Sequence, residues 1–334
     1  MQFHPKIFSS VAICRRKHII KVREFFWGWH MDYDFCTAAP SDKIRSYCFS
    51  AASEYPCISL CTIGYSLIGQ PIECMTFGKG EVCHLVIGAH HGSEHITALI
   101  CVKFVLDCAK ALHDDVFLAG FDVKHIFSKR RMFVVPVINP DGIDIQQGAF
   151  PKEHVLYPRL ISMNPRGRDF THWQANARGV DLNHNYDAGF AECRLLERKM
   201  GIYSGGPTRF GGQYPESEPE THALCNLTRL LSPKLKTAIA LHTQGEEIYY
   251  EYLGNYPRGS LMLAECFSRV SGYTVSRPDG IASYGGYKDW VINEFGIPAF
   301  TIECGKGENP LPPCDFDKIY EKVLPILLTA ASFG

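Results

Sequence analysis

Three stretches of the chain end in residues that can bind a metal or move a proton. The run VCHLVIGAHHGSEH delivers His90, His91, Glu94 and His95, TAIALH delivers His242, and AFTIEC delivers Glu303. Two histidines and one glutamate around an open fourth position make a catalytic zinc set, and a further carboxylate close by would serve as general base. The plainer reading is a group of polar strand-end residues that hydrogen-bond one another. His-x-x-Glu alone decides little: with 14 His in 334 residues it arises by chance roughly 0.8 times per chain. Its context adds weight. It falls where an apolar strand meets a helical pattern across the tight Gly92-Ser93 turn, and a second strand also ends in His.

Such residues meet only if the elements behind them run the same way. VCHLVIG is a continuous apolar run of buried-strand length, and from Glu94 to Leu112 the apolar residues recur at helical spacing. RMFVVPVI is another strand with Pro136 near its far end, where a missing ladder donor is tolerated. Asn139-Pro140-Asp141-Gly142 reads as a turn, TAIALH and AFTIEC as strands, and IYYEYLG as a further candidate. SLIGQPIECMTFGKG has the patterning of a hairpin. Helices are expected over Ser41–Glu54, Glu218–Leu231, Ser260–Ser271, Tyr287–Glu294 and Asp315–Ser332. Residues 143–180 are rich in Arg, Pro, Gly and aromatics, too long for a plain connector, and read as a functional loop. Strands alternating with helices predict an α/β fold with a parallel or mixed central β-sheet and helices on both faces. In such sheets the active site gathers at the carboxyl ends of the strands.

Composition narrows the function classes. With 46% hydrophobic and 21% charged residues the chain is globular rather than disordered, collagen-like or coiled-coil. Lys+Arg 34 against Asp+Glu 35 leaves a net charge of -1, so there is no basic field to gather nucleic acid or a membrane surface. No run of about 18 apolar residues is present to span a bilayer. The 14 Cys contain no Cys-x-x-Cys pair. Cys83, Cys101, Cys108 and Cys304 sit in apolar surroundings as small buried hydrophobes, which points to a reducing, cytoplasmic location. Residues 1–30 are basic, and their short apolar piece IFSSVAIC runs straight into Arg15-Arg16-Lys17 with no small-residue cleavage site. No fold is assigned to them, and Met31 is an alternative start.

Five motifs then resemble, in order, the zinc carboxypeptidase family (the M14 peptidases). They are GAHHGSEHIT around His91 and Glu94, GVDLNHNYDAGF around Asp181, Asn183 and His184, LHTQG at His242, GGYKDW at Tyr287 to Trp290, and FTIECG at Glu303. The resemblance runs from about Tyr65 to the C-terminus. HTQGEEIYY, GGYKDW and TIECGKGENPLP are most similar to the branch of bacterial γ-D-glutamyl-meso-diaminopimelate peptidases, which cut peptidoglycan stem peptides. The resemblance implies a single zinc-carboxypeptidase-like domain over 41–334 behind an N-terminal extension (1–40), with one Zn2+ on His91, Glu94 and His242. His90 is the rival first ligand, but His91 has the family's three-residue step to Glu94. Glu303 matches the general base.

The departures from the family pattern bear on substrate. The usual Trp-Arg-x-Asn reads Trp173-Gln174-Ala175-Asn176, which leaves Arg178 as the substitute oxyanion partner and Arg166 and Arg168 as further candidates. Asn183 is kept, but His184 replaces the Arg that grips a terminal carboxylate. The mobile Tyr position holds Ile281, with Tyr284 and Tyr287 nearby. Lys288 falls at the side-chain specificity position, where a cation would select an acidic group. Asp181 is expected to brace a loop or ligand. The resemblance thus implies a peptidase acting on a small muropeptide. A metallocarboxypeptidase or N-acyl-amino-acid amidohydrolase is the alternative with the same chemistry, and a peptide-binding pseudo-enzyme is the non-catalytic one.

Overall fold

The computed structural model describes residues 32–333; the first thirty residues, to which no fold or role is assigned, lie outside them. Eight strands form one mixed sheet in the order β1-β2-β4-β3-β5-β8-β6-β7. They are β1 (Ser59–Tyr65), β2 (Pro71–Gly78), β3 (Val82–Ile87), β4 (Arg130–Val135), β5 (Leu235–His242), β6 (Glu247–Tyr249), β7 (Thr274–Ser276) and β8 (Ala299–Glu303). The inner four, β4-β3-β5-β8, are mutually parallel, so the carboxyl ends of β3, β5 and β8 point to one edge. The register places His242 directly beside Glu303.

The helices follow the apolar patterning. After α1 (Ser41–Glu54) comes α2 (Ile96–Asp114), whose Leu99, Ile100, Val102, Phe104 and Val105 are all fully buried. A helix apolar on every side is one enclosed by its fold, and each such side chain contributes about 1.5–3 kcal/mol of burial. Here α2 packs on β2, β3 and β4 and against α1, which also lies on β1 and β2, and the closing helix α10 (Phe316–Ser332). Between them in sequence lie α3 (Val123–Lys129), α4 (Pro140–Gln146), α5 (Tyr157–Met163), α6 (Phe190–Lys199), α7 (Pro219–Leu231), α8 (Ser260–Ser271) and α9 (Tyr287–Phe295). On the opposite face α7 and α9 pack Leu224, Leu227, Tyr287 and Trp290 against Leu85, Ile87, Ala238 and Ala240.

One local expectation is corrected. Asn139-Pro140-Asp141-Gly142 opens a helix rather than turning the chain: Asn139 caps α4 by accepting the Gly142 N–H, and Pro140 sits in the first turn. Proline's fixed φ and missing donor suit that position.

Candidate active site

Beyond β3 the chain leaves the sheet through Ala89, which adopts a left-handed backbone (φ 49°) and donates its N–H to Thr97 Oγ1 at 2.8 Å. At Gly92 an added Cβ would lie 2.2 Å from the Gly142 carbonyl oxygen, so this close passage of loop past helix requires glycine. Asn139 ties the two together, its Nδ2 donating to the carbonyls of His90 (2.9 Å) and Gln174 (3.1 Å).

This loop and the end of β5 aim two imidazoles at one carboxylate. His91 Nδ1 lies 2.8 Å from Glu94 Oε1, and His242 Nδ1 lies 3.0 Å from Glu94 Oε2. The three candidate donor atoms are all within 4.8 Å of one another. Thr243 N–H also donates to Glu94 Oε2. On its far side His91 Nε2 is held 3.0 Å from Asp181 Oδ1, and Asp181 in turn accepts the N–H groups of Asn183 and Arg209. Burial by itself would raise the Glu94 carboxyl, but His91 and His242 outweigh it and hold it down to about 2. A charged carboxylate, two Nδ1 atoms and an outer carboxylate orienting one ring fit zinc in kind and number.

His90 is not part of the set. Its Nε2 meets Tyr186 Oη at 3.0 Å, and its ring stacks on His242 with centroids 5.2 Å apart. Burial, followed by the nearby imidazoles, drives its pKa well below the usual value, so it is a neutral packing partner beneath His242. Glu303 completes the strand-end group. Burial pushes its carboxyl well above the ordinary range, Glu94 and Glu247 add to this, and His91 opposes.

The zinc carboxypeptidase (peptidase M14) family model matches residues 44–325. The chain is a zinc carboxypeptidase family member. It is 35% identical over 276 residues to the γ-D-glutamyl-L-diamino acid endopeptidase 1 of Lysinibacillus sphaericus, covering 83% of this chain and 68% of that protein. It is 32% identical over 281 residues to the uncharacterized protein YqgT of Bacillus subtilis, covering 84% and 73%. The fold superposes on carboxypeptidase A from Helicoverpa armigera with a TM-score of 0.64 at 19% identity, covering 94% of this chain and 78% of the other. This zinc carboxypeptidase is therefore a zinc metallopeptidase in which His91, Glu94 and His242 form the His-Glu-His group that can hold the ion.

Two expected site residues are engaged elsewhere. Arg178 pairs through Nε with Glu218 Oε2 at 3.3 Å and lines a cavity of about 280 Å³ with Arg159, Arg194, Tyr203 and Tyr214, which no member of the zinc set lines. Its Nε faces a carboxylate forty residues away in sequence while the side chain is otherwise exposed, so the structure does not bring it to the zinc set. Lys288 is buried, 3% exposed, with its Nζ on the Glu251 carbonyl and the Asp289 carboxylate. The free cation expected at the specificity position is already paired.

The remaining candidates frame the loop beside Asp181. Asn183 Oδ1 accepts the Tyr287 N–H at 3.0 Å, which joins this loop to the first turn of α9. His184 Nδ1 lies 3.1 Å from the Tyr284 carbonyl and 3.4 Å from Cys193 Sγ, and burial lowers its pKa against the pull of Asp181. A neutral imidazole so placed is no replacement for a guanidinium clamp. Tyr284 is half-buried, its ring against Gly189. Sequence reading passed over Asn309, which brackets Thr243 with Oδ1 and Nδ2 at 2.7 and 2.8 Å, and Glu247, which stands opposite Glu303 in the β6–β8 register. For Glu247 the available signal was its place in the short strand-like run after His242, since every second residue of an extended chain faces one way.

Proposed function

We propose that this zinc peptidase hydrolyses the γ-D-glutamyl–diaminopimelate bond of soluble peptidoglycan stem peptides. The observation that carries the reading is the 35% identity, over 83% of the chain, to a protein named a γ-D-glutamyl-L-diamino acid endopeptidase. The lowered His184 pKa sets this site apart from one that grips a terminal carboxylate with a fixed guanidinium, which fits a peptidase whose substrate is not an ordinary C-terminal L-peptide. Thirteen free cysteines among the described residues support a reducing cytoplasm as the site of action. Among the described residues no helix is long and apolar enough to cross a membrane.

When bound, zinc supplies Lewis acidity, polarising the scissile carbonyl and bringing the pKa of the attacking water to about 7. Asp181 fixes the ring of His91 through Nε2 and leaves Nδ1 facing the ion's place. Glu303 removes the water proton on one carboxylate oxygen and returns it to the leaving amine nitrogen, so that amide and water become carboxylic acid and amine.

The test is mass spectrometry of the products from L-Ala-γ-D-Glu-meso-diaminopimelate, with a chelated control and an ordinary L-peptide in parallel. Chelator-sensitive release of diaminopimelate from the first peptide alone is expected. Cleavage of the L-peptide alone would replace this reading with that of a plain carboxypeptidase.

A further inference from the structure

A second group of buried charges lies where the first turn of α9 meets the chain leaving β6. Lys288 reaches across with its Nζ on the Glu251 backbone carbonyl and on the Asp289 carboxylate. Glu251 is itself 6% exposed. Its Oε1 has Arg277 Nε at 3.8 Å, from a side chain that is 65% exposed, a loose contact at the surface. Its Oε2 is buried without a hydrogen-bond partner among the described residues. The interior therefore holds two carboxylates against one ammonium. Burial raises the Asp289 carboxyl, and the Glu251 charge adds to that while Lys288 opposes it. An unanswered buried carboxylate oxygen is costly, and a cation arriving at Oε2 would remove that cost.

The group adjoins the reaction site through the first turn of α9. Glu251 lies two residues past the end of β6, whose antiparallel register sets Glu247 opposite Glu303 and carries the residues after it back along β8. Lys288 follows Tyr287, whose N–H is held by the loop carrying Asp181 and Asn183. The resemblance placed the side-chain specificity determinant at Lys288, but its charge is already answered, so the charge left to meet a ligand is negative.

We propose that Glu251 is a specificity-determining residue whose Oε2 receives the side-chain ammonium of the residue on the leaving-amine side of the scissile bond. Lys288 is then a positioning residue that holds the Glu251 backbone. This deepens the peptidase reading and rests on it, but it assigns the selected group: a diamino acid is recognised by its second amine. A carboxylate farther along the same side chain is not what Lys288 reads.

The experiment is calorimetric titration of the zinc-loaded protein with L-lysine and with L-norleucine, which has the same chain length and no ammonium. The wild type should bind lysine at least about tenfold more tightly, and Glu251→Gln should lose that difference. Glu251→Asp keeps the charge on a shorter arm and should retain a reduced preference, which separates recognition from general damage if the glutamine variant folds poorly. Equal affinities in the wild type, no lysine binding, or an undiminished preference in Glu251→Gln would overturn the assignment. Free amino acids are bound as products whichever bond is cut. A protein that discriminates lysine yet leaves the γ-D-glutamyl peptide intact would keep this inference and lose the substrate reading.

Discussion

The zinc set and the Lys288–Asp289–Glu251 group are both buried clusters of charge, but they are built in opposite ways. Around Glu94 both carboxylate oxygens meet imidazoles, and the outer nitrogen of His91 meets Asp181. The donors stand at the ends of adjoining strands whose register the sheet dictates. Around Lys288 the single ammonium answers one carboxylate and a backbone carbonyl, and Glu251 Oε2 is left over. The first cluster is preorganised for an ion that every zinc peptidase of this family uses. The second leaves the Glu251 Oε2 without a partner among the described residues, the place we assign to a substrate ammonium. Chemistry is placed on the sheet, and selectivity on the segments that flank it.

The comparison can be broken at either cluster. His242→Ala removes one of the three donors, and the variant should come out of purification without zinc and without turnover, as read by metal analysis beside the product assay. Retained zinc at wild-type content would mean that His242 is not a ligand. Asp181→Asn leaves the three donors in place and loosens only the orientation of His91. Zinc affinity should fall about 10–100-fold, measured by competition with a chromophoric chelator, while activity returns at saturating zinc. On the other side, Lys288→Met leaves Glu251 and Asp289 with no buried cation. Removing one partner of a buried pair costs about 3–5 kcal/mol, read as a lowered urea midpoint, and zinc content should be unaffected. An unchanged midpoint would show that Lys288 carries no structural charge.

The catalytic cluster was more legible in the sequence than the selective one. His242 and Glu303 end apolar runs that can only be inner strands, and α1 and α8 have the bounds that their patterning predicts. Pattern alone left His90 and His91 open as the first ligand; the resemblance favoured His91, and the structure resolves it through the Tyr186 hydroxyl held by His90. The Asn139 segment was misread because a capping Asn with Pro beside it looks the same as a turn. Short helices such as α3 and α6 lack the length for a clear period, and α5 is hidden in a Pro- and Arg-rich loop. Arg178 and Lys288 lie apart from their expected places for a different reason. The carboxylate that Arg178 meets, Glu218, is 40 residues distant, which no local pattern reports, whereas Lys288 pairs with the adjacent Asp289 and with the Glu251 backbone carbonyl, a burial that an ordinary Lys-Asp dipeptide does not announce.

The claim on which the rest depends is that Glu303 moves the proton at a zinc site that does not need it for binding. The direct measurement is the turnover of Glu303→Gln on the stem peptide, made on a preparation whose zinc content is determined in the same sample. One zinc per chain with kcat reduced by about 10²–10⁴-fold is expected. Full turnover by the zinc-replete variant would contradict the account.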